Sequence, residues 1–129
     1  GSVSSLSYVR RGIEESEAVI DKERIIIALP FYTRIWITDK SGKLRSEAMS
    51  IKAAQDWISK NQVSLTFEQE IGQNYGSMEV DGEKKEIWME DEKSMEEKKK
   101  LLTEKGIQGI AAWKLGQEPE GFWGILQTK

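Results

Sequence analysis

The chain has 129 residues, 38% of them hydrophobic, which is enough to form the core of a single domain. Acidic residues outnumber basic residues by 22 to 19 and the formal net charge is −3, so the chain lacks the basic surface that nucleic-acid binding needs. It contains no cysteine and no histidine, which excludes disulfides, thiolate nucleophiles, Ser-His-Asp triads and the usual zinc sites within it.

The sequence also lacks an apolar run of membrane-spanning length, and its opening residues do not resemble a signal peptide. Gly1 and Ser2 are typical of a cloning remnant, so we expect the natural N-terminus, with any targeting information, to lie outside this sequence. We predict no membrane span, no cofactor and no metal ion.

The first elements predicted are a helix and a buried strand. Residues 4–21 carry apolar side chains at helical spacing with charges between them. Residues 24–36 follow after a short polar connection. Their five consecutive apolar residues, Ile25–Leu29, do not alternate with polar ones, which predicts a strand of a parallel sheet that is buried on both faces. Pro30 cannot donate a ladder hydrogen bond, so regular pairing is expected to end there.

Beyond Pro30, aromatic rings and a guanidinium follow the strand at its C-terminal tip, namely Phe31, Tyr32, Arg34 and Trp36. In parallel α/β folds this is the end of the sheet where ligands bind. The alternative is a core strand that runs into an ordinary aromatic loop.

The middle of the chain has a different pattern. The elements predicted there are a turn at 38–43, a helix at 50–61 with Ser50 as its N-cap, and strands at 63–71, 75–80 and 84–90. The first of these strands alternates apolar and polar residues, which is typical of a half-exposed antiparallel strand, and Asp81-Gly82 predicts a hairpin. Residues 38–89 therefore indicate a small α+β insertion.

The last part returns to the first pattern. Ser94 and Glu97 fit a capping box at the start of a helix, and Gly106 suits its C-terminal cap. Residues 107–113 predict a second strand without alternation, and Pro119 can begin a final helix. The basic run 98–100, flanked by glutamates, predicts the solvated side of the helix that ends near Gly106.

Taken together, the order is helix, buried strand, insertion, helix, buried strand, helix. Two parallel strands are too few for a closed barrel, so the pattern indicates about the last third to half of a (β/α)₈ TIM barrel, a fold of the α/β class. We therefore predict a partial barrel from residues 3–37 and 90–129, carrying the α+β insertion domain at 38–89.

Three segments in this order resemble glycoside hydrolase family 18. The sequence Leu-Pro-Phe-Tyr-Thr-Arg-Ile-Trp at 29–36 resembles that family's Gly-Val-Pro-Phe-Tyr-x-Arg-x-Trp strand. Residues 87–94, followed by Lys98, resemble its return from the insertion domain, and residues 109–118 resemble its last barrel strand. The Tyr-Thr-Arg-Ile-Trp and Trp-Met-Glu-Asp forms are most similar to the bacterial spore-cortex, peptidoglycan-acting branch. The likeness covers nearly all of residues 6–126.

The resemblance implies that the two buried strands are barrel strands seven and eight and that the insertion walls a substrate groove. The substrate-binding residues that it implies are Trp113, Tyr32, Arg34, Trp36, Gln117 and Glu118. Trp113 matches the family's sugar-stacking tryptophan, although a tryptophan at a strand end is often only a core residue. Arg34 could instead be structural, through a carboxylate pair that holds the insertion against the barrel.

No catalytic residue is predicted in this chain. The family's acid lies in an Asp-x-x-Asp-x-Asp-x-Glu string on strand four, and no such string is present. In the family the substrate's own N-acetyl oxygen attacks the anomeric carbon, with retention of configuration, while the glutamate protonates the leaving oxygen. Glu90 and Asp91 form the one tempting acid pair, but we expect them to cap the following helix or to pair with Arg34.

Two functions follow as hypotheses. The first is a C-terminal fragment of a family 18 enzyme, inactive alone, that acts on an N-acetylglucosamine-containing glycan such as spore cortex, peptidoglycan or a chitin-like polymer. By resemblance, its location would be extracytoplasmic or spore-associated. The alternative is a non-enzymatic α+β carbohydrate-binding or interaction module. Because two apolar strands would be exposed outside a barrel, we also expect the isolated chain to self-associate or exchange strands.

Overall fold

The computed structural model describes residues 1–127, which form four α-helices, one short 3₁₀ helix at Lys22–Arg24 and two separate sheets. The α-helices in this range are α1 Leu6–Glu17, α2 Ile51–Lys60, α3 Glu92–Lys105 and α4 Gly121–Gln127. The strands are β1 Ile26–Pro30, β2 Tyr32–Thr38, β3 Leu44–Ser50, β4 Leu65–Glu68, β5 Gln73–Val80, β6 Glu83–Met89 and β7 Gly109–Trp113. None of these helices is long and apolar enough to cross a membrane.

The smaller sheet joins β1 and β7 in parallel, with Ile26 opposite Gly109 and Pro30 opposite Trp113. This confirms that the two non-alternating segments are parallel neighbours. Their backbones approach so closely that a Cβ atom on Gly109 would lie 2.7 Å from the carbonyl oxygen of Ile25. Glycine is therefore required at this point of the pairing.

Only one face of this parallel pair is covered by the residues that the structure describes. That face packs against α1, α3 and α4 through buried residues that include Ile13, Leu29, Leu102 and Phe122. On the other face Ile26 is 67% exposed. The prediction of a strand buried on both faces is thus wrong for residues 1–127, because nothing within them lies over Ile26.

The larger sheet is antiparallel, with strand order β3-β2-β6-β5-β4. It begins at Tyr32 rather than at residue 38, because the chain changes sheets at Phe31. The N–H of Phe31 donates to the carbonyl of Trp113 at 2.7 Å, and its ring is fully buried 5.4 Å from the ring of Phe122. Parallel pairing thus ends at Pro30 as predicted, and the residues beyond it form a strand of the second sheet.

Strand β3 was not predicted from the sequence. It follows a tight turn in which the carboxylate of Asp39 accepts hydrogen bonds from the backbone N–H groups of Ser41 and Lys43. The strand lies at the sheet edge and most of its side chains are exposed, so it has no apolar face that a sequence pattern could reveal. After it, Ser50 caps α2 as predicted, and its hydroxyl accepts from the N–H of Ala53.

The capping box of α3 begins three residues earlier than predicted. Asp91 is the N-cap, its carboxylate accepts from the N–H of Ser94 at 2.9 Å, and the Ser94 hydroxyl accepts from the N–H of Asp91 at 3.0 Å. The pairing of Ser94 with Glu97 was therefore wrong, and the expected capping role of Asp91 is confirmed. Gly106 ends the helix in the left-handed conformation, φ 72°, as predicted.

A buried ion pair between Glu90 and Lys98 joins the antiparallel sheet to α3. Both side chains are fully buried. The prediction that Lys98 lies on the solvated side of the helix is therefore wrong. Glu90 also accepts hydrogen bonds from the Gln73 amide on β5 and the Ser94 hydroxyl, each at 2.7 Å. Burial raises the pKa of Glu90, while Lys98 and Ser94 act against that rise. The cluster fixes the angle between the sheet and the helix.

Replacing one partner of this pair is expected to destabilise the fold strongly. Glu90→Gln leaves the Lys98 charge buried without a counter-ion, which should lower the free energy of unfolding by about 3 kcal/mol or more. Urea denaturation measures this change. The double variant Glu90→Gln/Lys98→Met should recover much of the loss because it removes the stranded charge.

The matched control is the exposed pair of Lys52 and Asp56 on α2. Asp56→Asn should cost about 0.5 kcal/mol or less, because solvent screens exposed pairs. A loss for Glu90→Gln as small as that of the control would contradict the structural role of the buried pair.

The open face of the parallel pair gives the self-association prediction a specific test. We expect the isolated chain to form dimers or larger species in light scattering, since Ile26 and the free strand edges lie exposed. Ile26→Lys should reduce this association, whereas Val19→Lys, at a position 80% exposed beyond the end of α1, should not. A wild-type chain that stays monomeric at high concentration would refute the prediction.

Candidate functional site

A cavity of about 260 Å³ lies at the C-terminal ends of β1 and β7. The residues that line it are Val3, Ser4, Tyr8, Ala28, Leu29, Pro30, Tyr32 and Trp113. It is therefore built from the tips of both parallel strands, the first residue of β2 and the segment that leads into α1. Two of the predicted substrate-binding residues, Tyr32 and Trp113, meet in it.

Trp113 combines a fixed backbone with an exposed ring. Its carbonyl accepts the hydrogen bond from Phe31, and its backbone pairs with Pro30 in the parallel sheet. Its side chain is nevertheless 69% exposed, so it is not a core residue within residues 1–127. The peptide bond to Lys114 is cis. An indole held in this way offers a flat apolar face to the C–H face of a sugar and an N–H to a sugar oxygen.

Tyr32, Arg34 and Trp36 lie on one face of β2. The residues between them, Thr33 and Ile35, are buried on the opposite face, in keeping with the period of a strand. Tyr32 borders the cavity, and Arg34 and Trp36 lie progressively farther along the strand, outside the cavity lining. The antiparallel sheet therefore extends the site as a wall.

Arg34 does not make the carboxylate pair that the sequence suggested. Within residues 1–127 no carboxylate oxygen lies within 4.0 Å of its guanidinium nitrogens. Its Nε instead donates to the hydroxyl of Ser46 on β3 at 3.1 Å. Glu90, one of the two carboxylates expected to pair with Arg34, is instead paired with Lys98. Arg34 thus keeps an uncompensated charge on the wall.

Sequence reasoning missed a polar and aromatic group on the neighbouring strands. Glu86 on β6 accepts from the Tyr75 hydroxyl at 2.8 Å and pairs with Lys84 at 2.9 Å. Lys84, followed by the bond from Tyr75, lowers the pKa of Glu86, and burial raises the pKa of Tyr75. The rings of Tyr75 and Trp88 pack 4.9 Å apart. The alternation of residues along β6 was the signal that could have found this group.

Gln117 and Glu118 lie in the loop after β7 and do not line the cavity. The carboxylate of Glu118 accepts from the N–H groups of Gly116 at 2.7 Å and Gln117 at 3.0 Å, and from the Trp123 indole at 3.2 Å. The carbonyl of Gln117 accepts from the N–H of Ile51 at the start of α2. These hydrogen bonds fix the conformation of the loop after β7.

The same contacts change the acidity of Glu118. Hydrogen bonds from backbone N–H groups, its own first and then those of Gly116 and Gln117, lower the pKa of its carboxyl, and the Trp123 indole adds to the effect. Glu118 is therefore a poor proton donor.

The cavity contains no acid of its own. None of its lining residues carries a carboxyl group. The carboxyl whose pKa is raised, that of Glu90, is fully buried and bonded to three partners. In the part of the chain that the structure describes, no three acidic side chains gather in a way that could hold a metal ion. The cavity lining therefore supplies no carboxyl group for proton transfer.

Comparison with known proteins gives the family of this chain. The sequence profile of the glycosyl hydrolases of family 18 matches residues 4–118. The chain belongs to family 18. Its relatives include the "Uncharacterized glycosylase YvbX" of Bacillus subtilis, 26% identical over 98% of this chain and 37% of that protein. The "Cortical fragment-lytic enzyme" of Bacillus anthracis is 24% identical over 97% of this chain and 30% of that protein.

Solved structures share the fold of this family 18 chain. The spore cortex-lytic enzyme SleL of Bacillus megaterium superposes with a TM-score of 0.87 and 24% identity, over 98% of this chain and 30% of that one. A chitinase from Chromobacterium violaceum gives a TM-score of 0.86 at 18% identity, over 98% of this chain and 39% of that one. The chain thus has the mixed α/β fold of these enzymes but spans only 30% to 39% of their length.

The lowered pKa of Glu118 predicts how the loop after β7 responds to acid. A carboxyl whose pKa is lower when folded stabilises the folded state above its unfolded pKa, about 4.3, and this stabilisation is lost as the pH falls through the folded value. The Nε1–H resonance of Trp123 should therefore shift with a midpoint below that of a peptide glutamate.

Glu118→Gln should abolish that shift, since the amide does not titrate. The control is Glu120→Gln, which alters a neighbouring exposed carboxyl and should leave the midpoint unchanged. An NMR titration whose midpoint falls at or above the ordinary glutamate pKa would contradict the hydrogen-bonding pattern.

Proposed function

We propose that this chain is the C-terminal part of a glycoside hydrolase that acts on an N-acetylglucosamine-containing glycan. The observation that carries the proposal is the parallel pair of β1 and β7, which ends in the exposed Trp113 and leaves one apolar face open. In this proposal the two strands are strands seven and eight of a (β/α)₈ barrel, and the antiparallel sheet is an insertion between them.

The open face of the parallel pair supports the proposal that β1 and β7 belong to a barrel. In residues 1–127, β1 and β7 pair only with each other, so each has an outer edge without a neighbour. Parallel strands occur almost always in sheets covered on both faces. Strands one to six would pair with these edges and fill the barrel interior against Ile26 and its neighbours on the open face. The relatives are long enough to contain them, because this chain matches 28% to 37% of their length.

The chemistry would be divided between the two parts of the full-length protein. This chain would hold the sugar, with Trp113 under its apolar face, Tyr32 at the cavity edge, and Arg34 and Trp36 on the wall. Gln117 and Glu118 would hold the loop after Trp113 in place. The acid would come from the Asp-x-x-Asp-x-Asp-x-Glu strand that this sequence lacks, and the substrate's acetamido oxygen would be the nucleophile. The chain alone would then be inactive.

The names of the relatives support a bacterial cell-wall glycan as the substrate. Three are called spore cortex-lytic, cortical fragment-lytic or sporulation-specific enzymes. A chitinase among the similar structures favours N-acetylglucosamine as the sugar that is recognised. Spore cortex or another peptidoglycan is therefore the proposed substrate, and a spore-associated or extracytoplasmic site of action goes with it.

A non-enzymatic carbohydrate-binding module is the second candidate, favoured by the absence of a carboxyl group from the cavity lining. Calorimetric titration of the isolated chain with N-acetylglucosamine oligomers distinguishes the two. Binding by the chain alone would favour the module, whereas binding and hydrolysis by the full-length protein only would favour the enzyme fragment. A full-length protein that hydrolyses neither chitin-type nor peptidoglycan-type oligomers would refute the enzymatic proposal.

Trp113 should carry a large part of the affinity for sugar. Trp113→Ala in the full-length protein is expected to weaken oligomer binding at least tenfold, about 1.4 kcal/mol, because the stacking surface is lost. Trp113→Phe should retain part of the affinity. The control Leu115→Ala removes another exposed apolar side chain two residues away and should leave binding unchanged. Equal effects of Trp113→Ala and Leu115→Ala would argue against stacking at Trp113.

A further inference from the structure

We propose that the turn between β4 and β5, residues 69–72, positions residues 3–8 at one side of the cavity, and that Gly72 is therefore a positioning residue for binding of the glycan. This inference rests on the proposed function and adds to it a part of the chain that lies outside the cavity. No residue of the turn lines the cavity, so the turn acts only through the segment that it holds.

The first observation is a hydrogen bond between this turn and the start of α1. The first N–H groups of a helix have no acceptor within the helix, so they need partners from outside it. In α1 the hydroxyl of Ser5 accepts from the N–H of Tyr8 at 3.1 Å. The N–H of Leu6 donates instead to the carbonyl of Ile71 at 2.7 Å. The turn therefore supplies one of the caps with which α1 begins.

The second observation is the close fit of Gly72 against Leu6. Gly72 is buried and has the left-handed backbone conformation, with a φ of 69°. A Cβ atom on Gly72 would lie 2.8 Å from the Cβ atom of Leu6 and 3.2 Å from its Cδ2 atom. Glycine is required at such a close approach. Any larger residue would push the start of α1 away from the turn and break the hydrogen bond to Ile71.

The third observation is that the turn itself is firmly held. The N–H of Gly72 donates to the carbonyl of Glu68 at 2.7 Å. The next residue, Gln73, is fully buried, and its amide donates to the carboxylate of Glu90. Glu90 is in turn paired with Lys98 on α3. A turn fixed in this way can hold the start of α1 in one place.

The fourth observation is where the positioned residues lie. Val3 and Ser4 come just before the N-cap of α1, and Tyr8 lies in its first turn. All three line the cavity together with Tyr32 and Trp113. A shift of the start of α1 would therefore move this side of the cavity relative to Trp113, whose backbone is fixed in the parallel pair. The turn thus determines the shape of the cavity although it contributes no lining residue.

The test is Gly72→Ala in the full-length protein, assayed on an N-acetylglucosamine-containing oligomer. We expect KM to rise at least about fivefold while kcat changes less than about twofold, because one side of the binding cavity is displaced and the proton donor lies elsewhere. Hydrogen–deuterium exchange followed by mass spectrometry should be faster in peptides that cover residues 3–8, because the N–H of Leu6 loses its acceptor.

The matched control is Gly42→Ala in the turn between β2 and β3. Gly42 is also left-handed, with a φ of 81°, but an added Cβ atom there would meet no atom within 4 Å. Both substitutions strain the backbone, and only Gly72→Ala displaces α1. Gly42→Ala should therefore leave KM and the exchange of residues 3–8 unchanged. The double variant Gly72→Ala/Leu6→Gly removes the clashing side chain and should recover most of the wild-type KM.

Leu6→Pro tests the same contact from the side of the helix and decides the matter if Gly72→Ala does not fold. Leu6 is the first residue of α1, a position that proline favours. Ser5 before it has the extended conformation that a proline requires of its predecessor, with φ −67° and ψ 155°. The variant removes the donor to Ile71 and should raise KM as Gly72→Ala does. Leu6→Ala keeps the N–H and should raise KM less.

The outcomes separate the inference from the function on which it rests. An unchanged KM in Gly72→Ala and Leu6→Pro, with hydrolysis by the wild-type protein, would overturn the inference alone. An equal rise of KM in Gly42→Ala would also overturn it, because backbone strain would then explain the effect. A wild-type protein that binds the oligomer without hydrolysing it would refute the enzymatic proposal, and dissociation constants would replace KM in the same comparison. A wild-type protein that does neither would overturn both.

Discussion

The hydrogen bond from the Phe31 amide to the Trp113 carbonyl determines the geometry of the whole site. Pro30 closes the parallel pair, and the burial of the Phe31 ring against Phe122 turns the chain into the second sheet. Tyr32 and Trp113 meet at the cavity because this bond ties the start of β2 to the end of β7. The aromatic rings at the site are thus positioned by backbone contacts, and the side chains remain free for a ligand.

The buried pair of Glu90 and Lys98 plays the complementary role at the other end of the insertion. It fastens the point where β6 leaves the antiparallel sheet to the middle of α3, which packs on the parallel pair. A buried ion pair seldom adds net stability over an apolar pair of the same volume. Its contribution here is orientation. Together with the hydrogen bond from Gln73 to Glu90, it fixes the angle between the antiparallel sheet, which carries Arg34, and the parallel pair, which lines the cavity.

The elements with a strong local pattern could be predicted from the sequence. The unbroken apolar runs predicted two parallel strands, Asp81-Gly82 predicted the hairpin, and Ser50 predicted a helix start, because each pattern has one dominant physical cause. Strand β3 could not be predicted, since an exposed edge strand has no apolar face to reveal it. The burial of Lys98 was also hidden, because its partner Glu90 lies eight residues away and only the fold brings them together.

The residues of the candidate site could likewise be predicted only in part. Tyr32 was indicated by its place beyond the end of an apolar strand, where ligands bind in parallel sheets, whereas Trp113 was implied by the family resemblance. The loop contacts of Glu118 and the bond from Arg34 to Ser46 depend on where α4 and β3 pack, so neither could be derived from spacing. Arg34 remains a predicted binding residue, and its expected carboxylate partner is absent from residues 1–127.

The pairing of β1 with β7 also has a consequence for the order of folding. The two strands are separated by the entire antiparallel sheet, whose own hairpins join near neighbours in the chain. Local pairs close first, because bringing distant segments together costs more loop entropy before any contact repays it. The inserted sheet should therefore form as an early folding unit, and its completion shortens the effective loop that β7 must close. During translation, β1 would remain unpaired with β7 until Trp113 has been synthesised.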